Sequence, residues 1–392
     1  MSANSIGYQS GHLPMLNGSD ILKPSVVIDM TETVTQILTA TTPSPIQKFG
    51  TTYGRIHGYL SIAVCIFGII SNALNIIVLT RKHMLSPTNY ILTALAIADM
   101  LTMSTYPIMA TYLYIISQPN CDEAKHPKEW MYFILFHNLF IVTCHNMAMW
   151  LTVALAVFRY IFVCIPSKAM TLCSAQRAKL TVGLIVIVTI IVCCPNYVIY
   201  QVVDISTAYS NSTSCYWILE TEFASKHVWY TSFVKWLYGV VIKILPCILL
   251  VFLSTLLILA MQQAKRRRAR LLGKVSRASD HDHQSNEHNR TTVMLVAVVM
   301  FFVITELPQG ILALIGSMSN ELWDVYVTLG DLMDILVLIN SAVNFILYCI
   351  MSQQFRNTFK NLFIGKNKNF FSKYHKQNGA TYSVVKTDTT MV

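Results

Sequence analysis

Seven long apolar stretches, at about residues 57–80, 90–116, 130–164, 178–202, 228–263, 291–317 and 324–351, constrain this chain more than any other feature. A hydrocarbon layer of roughly 30 Å is crossed by about 20 apolar residues in helical form, and each stretch is long enough. The expected fold class is therefore an all-α membrane protein, a seven-transmembrane helix bundle. Composition agrees, with 54% hydrophobic and only 12% charged residues, against about 25% charged in soluble domains. A disordered or nucleic-acid-binding chain is excluded, because the apolar residues lie in long runs with few charges.

The stretches divide the chain. Residues 1–56 are polar and rich in Ser and Thr; they read as a disordered extracellular tail and not as a cleavable signal, since no charged n-region opens them. Residues 57–351 form the membrane domain, 352–364 a short amphipathic helix on the membrane surface, and 365–392 a disordered cytoplasmic tail. In the surface segment Phe355, Phe359, Leu362 and Phe363 recur at helical spacing opposite Arg356 and Lys360. A frayed end of the seventh helix is the alternative.

Orientation follows from the basic residues of the short loops. With the N-terminus outside, the inner face receives Arg81, Lys82, Arg159, Lys168, Arg177, Lys179, eight between Lys265 and Arg290, and seven from Arg356 to Lys386. Only Asp280, Asp282, Glu287 and Asp388 oppose them there, so the inner face carries about +17 and the rest of the chain about −7, which together make the net +10. The cluster from Lys265 to Arg270 suits anionic membrane lipid or a simple stop signal. The sequons at Asn17 and Asn211 then fall outside, where glycosylation is expected, and Asn289 falls inside. Of ten cysteines, Cys121 and Cys215 lie in polar stretches and point to one bridge in an oxidising compartment.

Charged groups inside apolar helices cost roughly 2.5–3.5 kcal/mol each at the helix centre, so each is a functional candidate. They are Asp99, Arg159, Lys235, Lys243, Glu306, Asp331 and Asp334. Asp99, near Asn72 if the first two helices are neighbours, is either a polar knot that fixes packing or a switch linked to water or a sodium ion. His137, Ile141 and His145 share one stripe of the third helix, and Asp331, Asp334, Leu338 and Ser341 share one of the seventh. Two such stripes define a wet cavity open to the exterior, or else interhelical hydrogen bonding without a ligand. His137 and His145 lack a third metal ligand. Phosphate loops, zinc spacings and nucleophile elbows are missing from the soluble segments, which are too short for a catalytic domain. The expectation is no enzyme, no metal and no resident cofactor beyond a sodium ion beside Asp99.

Together these residues resemble the rhodopsin-like class of G-protein-coupled receptors across about 57–364. The resemblance rests on Asn72, on Leu95 to Asp99, on Arg159-Tyr160 ending the third helix, and on Pro195, Pro246 and Pro308. It continues through Asn340-Ser341-Ala-Val-Asn344-Phe345-Ile-Leu-Tyr348 and Phe355-Arg356. Phe158 departs from the acid usual before the arginine, Glu306 from the tryptophan usual two before Pro308, Ser254 from a tyrosine and Phe345 from a proline. Ile134 occupies the usual cysteine position, which leaves Cys121 as the implied partner of Cys215. Glu306-Leu-Pro-Gln-Gly310 with Asn344 to Cys349 is similar to the invertebrate myosuppressin and FMRFamide-type receptors.

The resemblance implies an extracellular neuropeptide ending in an amidated Arg-Phe and a heterotrimeric G protein inside. The candidate ligand residues are Asp331, Asp334, Glu306, His137, Ile141, His145 and Leu338, with a carboxylate taking the arginine and Ile141 and Leu338 meeting the ring. Glu306 is either such a carboxylate or a resting-state latch bonded to His145. The implied switch and coupling residues are Asp99, Arg159, Tyr160, Pro308, Asn340, Ser341, Asn344 and Tyr348. Without an acid at 158 or a tyrosine at 254 the resting lock must be built differently, and basal signalling is expected to be raised. Ser and Thr residues of the tail are phosphorylation sites for recruiting an arrestin, and Val392 is a candidate terminus for a PDZ-type domain. The competing readings are a receptor of the same fold for a lipid or other small ligand, and a membrane transporter.

Overall fold

The computed structural model describes residues 45–116, 127–205, 216–272, 301–315 and 325–363. Its elements in chain order are α1 (Pro45–Leu79), α2 (Pro87–Ile116), α3 (Lys128–Cys164), α4 (Pro166–Leu172) and α5 (Ala175–Val198). The strands β1 (Tyr200–Asp204) and β2 (Tyr216–Glu220) follow, then α6 (Val228–Gln263), α7 (Phe301–Ile315), α8 (Gly330–Ala342), α9 (Asn344–Met351) and α10 (Gln353–Phe363). Among the described residues six runs are long and apolar enough to cross a membrane: α1, α2, α3, α5, α6 and Gly330–Ile350. The shorter apolar α7 is the described part of the sixth expected span. The fold is a seven-helix membrane bundle, and large apolar side chains such as Ile66, Ile70, Leu184, Ile187 and Ile191 stay exposed on its outer faces, as lipid requires.

Helix ends follow local chemistry. Ser86 caps α2 by accepting from Asn89 N, with Pro87 in the first turn; Ser174 caps α5 by accepting from Arg177 N. Within α2 the helix breaks at Thr105, because Pro107 has no N–H to give, and the C-terminal end continues in wider turns from Thr111 to Ile116. Asp99 sits inside this break, and Tyr106 and Tyr114 lie beyond it.

Inside the bundle α2 packs on α1 and α3, α8 on α1, and α6 on α3. One apolar core joins Met103, Tyr106, Met109, Ile141, Ile335 and Leu338 toward the α1, α2, α3 and α8 faces. A second gathers Ile91, Leu95, Leu151, Phe158, Cys173 and Ala178. The chain divides into two compact units between Phe345 and Ile346. In the second unit, Phe355 N donates to Ser352 Oγ at 3.1 Å, and Arg356 Nη1 donates to the carbonyls of Cys349 (3.1 Å) and Ile350 (2.9 Å). A cation on terminal carbonyls is what the end of a helix such as α9 favours.

Three boundaries differ from the sequence reading. The first helix begins at Pro45, so residues 45–56 are helix and not tail; Ile46, Phe49, Tyr53 and Ile56 recur at helical spacing among the polar residues that concealed them. The fourth span ends at Val198 instead of 202, because Tyr200–Asp204 pairs antiparallel with Tyr216–Glu220, Tyr200 opposite Glu220 and Asp204 opposite Tyr216. The bundle is thus not purely α. This hairpin packs Val202, Tyr216, Trp217 and Ile218 against Tyr112, Met131 and Ile134, so Ile134 makes an apolar contact with the hairpin. The helix after the seventh span covers Gln353–Phe363, one residue short of 352–364 at each end. Cys121, Cys215, Asn17, Asn211, Val392 and nearly all of both tails lie outside the described residues.

Candidate functional site

Three polar clusters run through the apolar bundle. In the first, Asp331 and Asp334 lie one turn apart on α8 and are both largely buried. Tyr114 Oη donates to Asp331 Oδ1 at 2.6 Å, and Tyr106 Oη to Asp334 Oδ2 at 3.4 Å. His57 of α1, fully buried, holds Tyr106 Oη at 2.9 Å through Nε2. Its ring lies 5.0 Å from that of Tyr114 and 5.5 Å from that of Tyr53. Helix α1 comes close enough for this because Gly58 has no side chain: a Cβ there would meet Tyr114 Cβ at 2.5 Å. His137 bonds Thr105 Oγ1 at 2.7 Å, at the break in α2, and its ring packs edge-on to Tyr106 at 5.6 Å. Ile141 and Leu338 meet in the apolar core that Tyr106 also joins.

The second cluster lies across α3, α6, α7 and α8. Glu306 is 0% exposed. Its Oε2 receives Lys243 Nζ at 2.8 Å and His145 Nε2 at 3.1 Å, and its Oε1 receives Asn340 Nδ2 at 3.4 Å. Lys243, 1% exposed, is turned inward by the wide turns of Leu237–Ile244, which precede Pro246. A buried carboxylate with a paired cation and two further donors offsets its desolvation; without them it is strongly destabilising. Of the two readings of Glu306, the geometry displays the bond to His145 and adds Lys243, to which the sequence reading gave no role.

Gly310 makes that approach of α6 and α7 possible, since a Cβ there would stand 2.9 Å from Lys243 Cβ and 3.2 Å from Ile244 Cγ1. Gly310→Ala is therefore expected to push the helices apart and lower stability by about 1–3 kcal/mol. The melting temperature of the purified receptor checks this; an unchanged value would refute it.

The third cluster ties α1 and α2 to the α8 side. Asn72 Nδ2 donates to the carbonyls of Gly68 and Ser341, both at 3.0 Å, and Ser71 Oγ to that of Ala342 at 3.2 Å. Asn344 Nδ2 donates to Asp99 Oδ2 at 2.7 Å. Asn72 and Asp99 thus share a partner region. Pro308 stands two residues beyond Glu306 in α7, and Arg159 and Tyr160 lie near the C-terminal end of α3. Phe158 beside them is buried among Ile91, Leu95, Cys173 and Ala178. In the second unit Tyr348 packs on Phe355, ring centres 5.8 Å apart.

Tyr53, His57, Tyr106 and Tyr114 were missed by a search for charged residues. The available signal was Tyr53 and His57 at i, i+4 in an apolar helix.

The fold is a seven-helix membrane bundle with buried polar clusters, and comparison with known proteins places it in the class of G-protein-coupled receptors. The profile of the serpentine-type seven-transmembrane G-protein-coupled chemoreceptor family Srw matches residues 59–366, and the chain belongs to this family. It is 30% identical to "G-protein coupled receptor dmsr-1" of Caenorhabditis elegans, over 80% of this chain and 69% of that protein. It is 32% identical to "Sex peptide receptor" of Drosophila melanogaster, over 83% and 77%. It is 24% identical to "FMRFamide receptor" of the same fly, over 79% and 54%. The chain is a rhodopsin-like multi-pass membrane receptor resembling FMRFamide receptors, and not an enzyme.

Proposed function

We propose that this receptor responds to an extracellular neuropeptide ending in an amidated Arg-Phe and signals through a heterotrimeric G protein. The observation that carries the reading is the pair Asp331 and Asp334, two carboxylates one turn apart, met by tyrosine hydroxyls that can give way to a stronger donor. A guanidinium supplies a rigid fork of donors to carboxylates, so it binds with direction as well as charge. Glu306 is left out of ligand contact, being engaged by Lys243, His145 and Asn340. The names of the sex peptide receptor and the FMRFamide receptor support a peptide ligand. The subfamily that includes myosuppressin receptors fits the same chemistry.

The Glu306 junction acts as the resting latch. It pins the helix carrying Pro308 to three neighbours, and a peptide that binds the open state more tightly shifts the population by moving α7. Arg159, Tyr160 and Tyr348 then face the G protein. A sodium ion beside Asp99 belongs to the same proposal, since hard cations take oxygen ligands and the Asp99 carboxylate provides them; no step requires it. The N-terminus lies outside and the C-terminus inside the plasma membrane. Glycans at Asn17 and Asn211, a Cys121–Cys215 bridge, lipid at the basic inner face, an arrestin on the tail and a PDZ-type domain at Val392 complete the proposal.

The test is a panel of amidated peptides read by second messenger, with Arg→Ala versions of each active one. An Arg-Phe-amide is expected to act, and its Arg→Ala form to lose about a hundredfold or more in potency. Activation by an uncharged ligand alone would overturn the reading.

A further inference from the structure

We infer that Tyr53 and His57, one turn apart on α1, form a subsite for the terminal carboxamide of the peptide and select it against the free acid. This rests on the proposal of an amidated ligand and deepens it. The residues are absent from the set that the resemblance implies, and what points to them is an unbalanced hydrogen-bond ledger.

His57 is 0% exposed, and its Nδ1 has no hydrogen-bond partner; Tyr53 Oη is likewise buried without one. The other ring nitrogen fixes what Nδ1 offers. Tyr106 Oη spends its proton on Asp334 Oδ2, so toward His57 it can only accept, and Nε2 carries the hydrogen. In the neutral imidazole Nδ1 is then a bare lone pair in search of a donor. Tyr53 Oη adds a hydroxyl that can donate. Burying such groups unpaired costs free energy, so a wall carrying two of them is complementary to something.

A primary carboxamide matches both, giving an N–H to His57 Nδ1 and accepting from Tyr53 Oη at its carbonyl. A carboxylate does not. It has no hydrogen for Nδ1, and it would enter a cluster that already contains Asp331, bonded to Tyr114, and Asp334, bonded to Tyr106. Like charges at close range in a site of low dielectric repel strongly. The placement also suits a peptide whose arginine is held by the α8 carboxylates. Gly54 brings α1 to Asp331, whose Oδ2 would lie 3.6 Å from a Cβ at that position. The helix-one pair therefore stands next to the acidic pair.

The experiment uses the full-length receptor at the cell surface, with the active peptide of the panel made as amide and as free acid. The wild type is expected to prefer the amide by at least about tenfold. Tyr53→Phe removes an atom that bonds nothing, so folding and surface expression are expected to hold, while potency of the amide falls by about fivefold and that of the acid does not. His57→Phe is expected to reduce the amide preference further, and His57→Gln, which keeps an acceptor, to restore part of it. If His57→Phe fails to reach the surface, Tyr53→Phe alone decides. An unchanged amide-to-acid ratio in Tyr53→Phe, or an equal loss for both peptides, overturns the inference. Absence of any active Arg-Phe-amide would sink the parent proposal instead, before these variants are compared.

Discussion

Lys243→Met is expected to remove most of the receptor from the cell surface, whereas Lys243→Met combined with Glu306→Leu returns it. Lys243 Nζ lies 2.8 Å from a carboxylate that is 0% exposed. Losing the cation leaves Glu306 charged in an apolar interior with only His145 and Asn340 as donors. Breaking a buried pair from one side typically costs roughly 3–5 kcal/mol, a large part of the stability of most domains. Replacing both partners by apolar groups of similar volume removes the charge together with its need, and is often neutral or stabilising. Surface expression and thermal unfolding of single and double variants measure this. The double variant is also expected to signal more than the wild type without peptide, since its latch is gone; a double variant with the basal signal of the wild type would show that the junction supports the fold and does not hold the resting state.

The second large effect concerns the ligand carboxylates. Asp331→Asn with Asp334→Asn is expected to leave the fold in place, because Tyr114 and Tyr106 can still donate to the amide oxygens. Peptide potency should fall by on the order of a thousandfold, the equivalent of about 4 kcal/mol for a desolvated charge pair lost from one side. An Arg→Ala peptide, already without its cation, should lose little further on this variant. Additive losses from the peptide and receptor changes would mean that the arginine binds elsewhere. Read by concentration–response in the same cells, this double-mutant cycle isolates the contact itself.

These two expectations drew on the sequence to different degrees. Asp331, Asp334 and Glu306 announce themselves, because a charge in an apolar run is costly wherever the helix is placed. The spans are equally legible, since hydropathy is a local property. The bond of Glu306 to His145 is legible too, but its lysine partner is not. Lys243 enters the interior only because the backbone widens over Leu237–Ile244 before Pro246, and an ideal helical wheel does not include that shift. Tyr53, His57, Tyr106 and Tyr114 were missed for another reason: neutral aromatic and imidazole groups are ordinary in the outer turns of membrane helices, and their convergence depends on the break at Thr105 and the bare face of Gly58. The hairpin has a local signal in Tyr200-Gln-Val-Val-Asp204 and Tyr216-Trp-Ile-Leu-Glu220, runs rich in β-branched and aromatic residues, but the start of the first is continuous with the apolar run that precedes it and the second stands alone between polar segments.

Phe158, packed among Ile91, Leu95, Leu151, Cys173 and Ala178, has a thermal consequence. An ion pair near the inner membrane surface is screened by dissolved salt, over a length of about 8 Å at physiological strength. A phenyl ring held by exclusion from water feels no such screening, and its hold weakens on cooling because apolar burial is driven by entropy near room temperature. The grip on the C-terminal end of α3 is thereby indifferent to ionic strength and loosest in the cold.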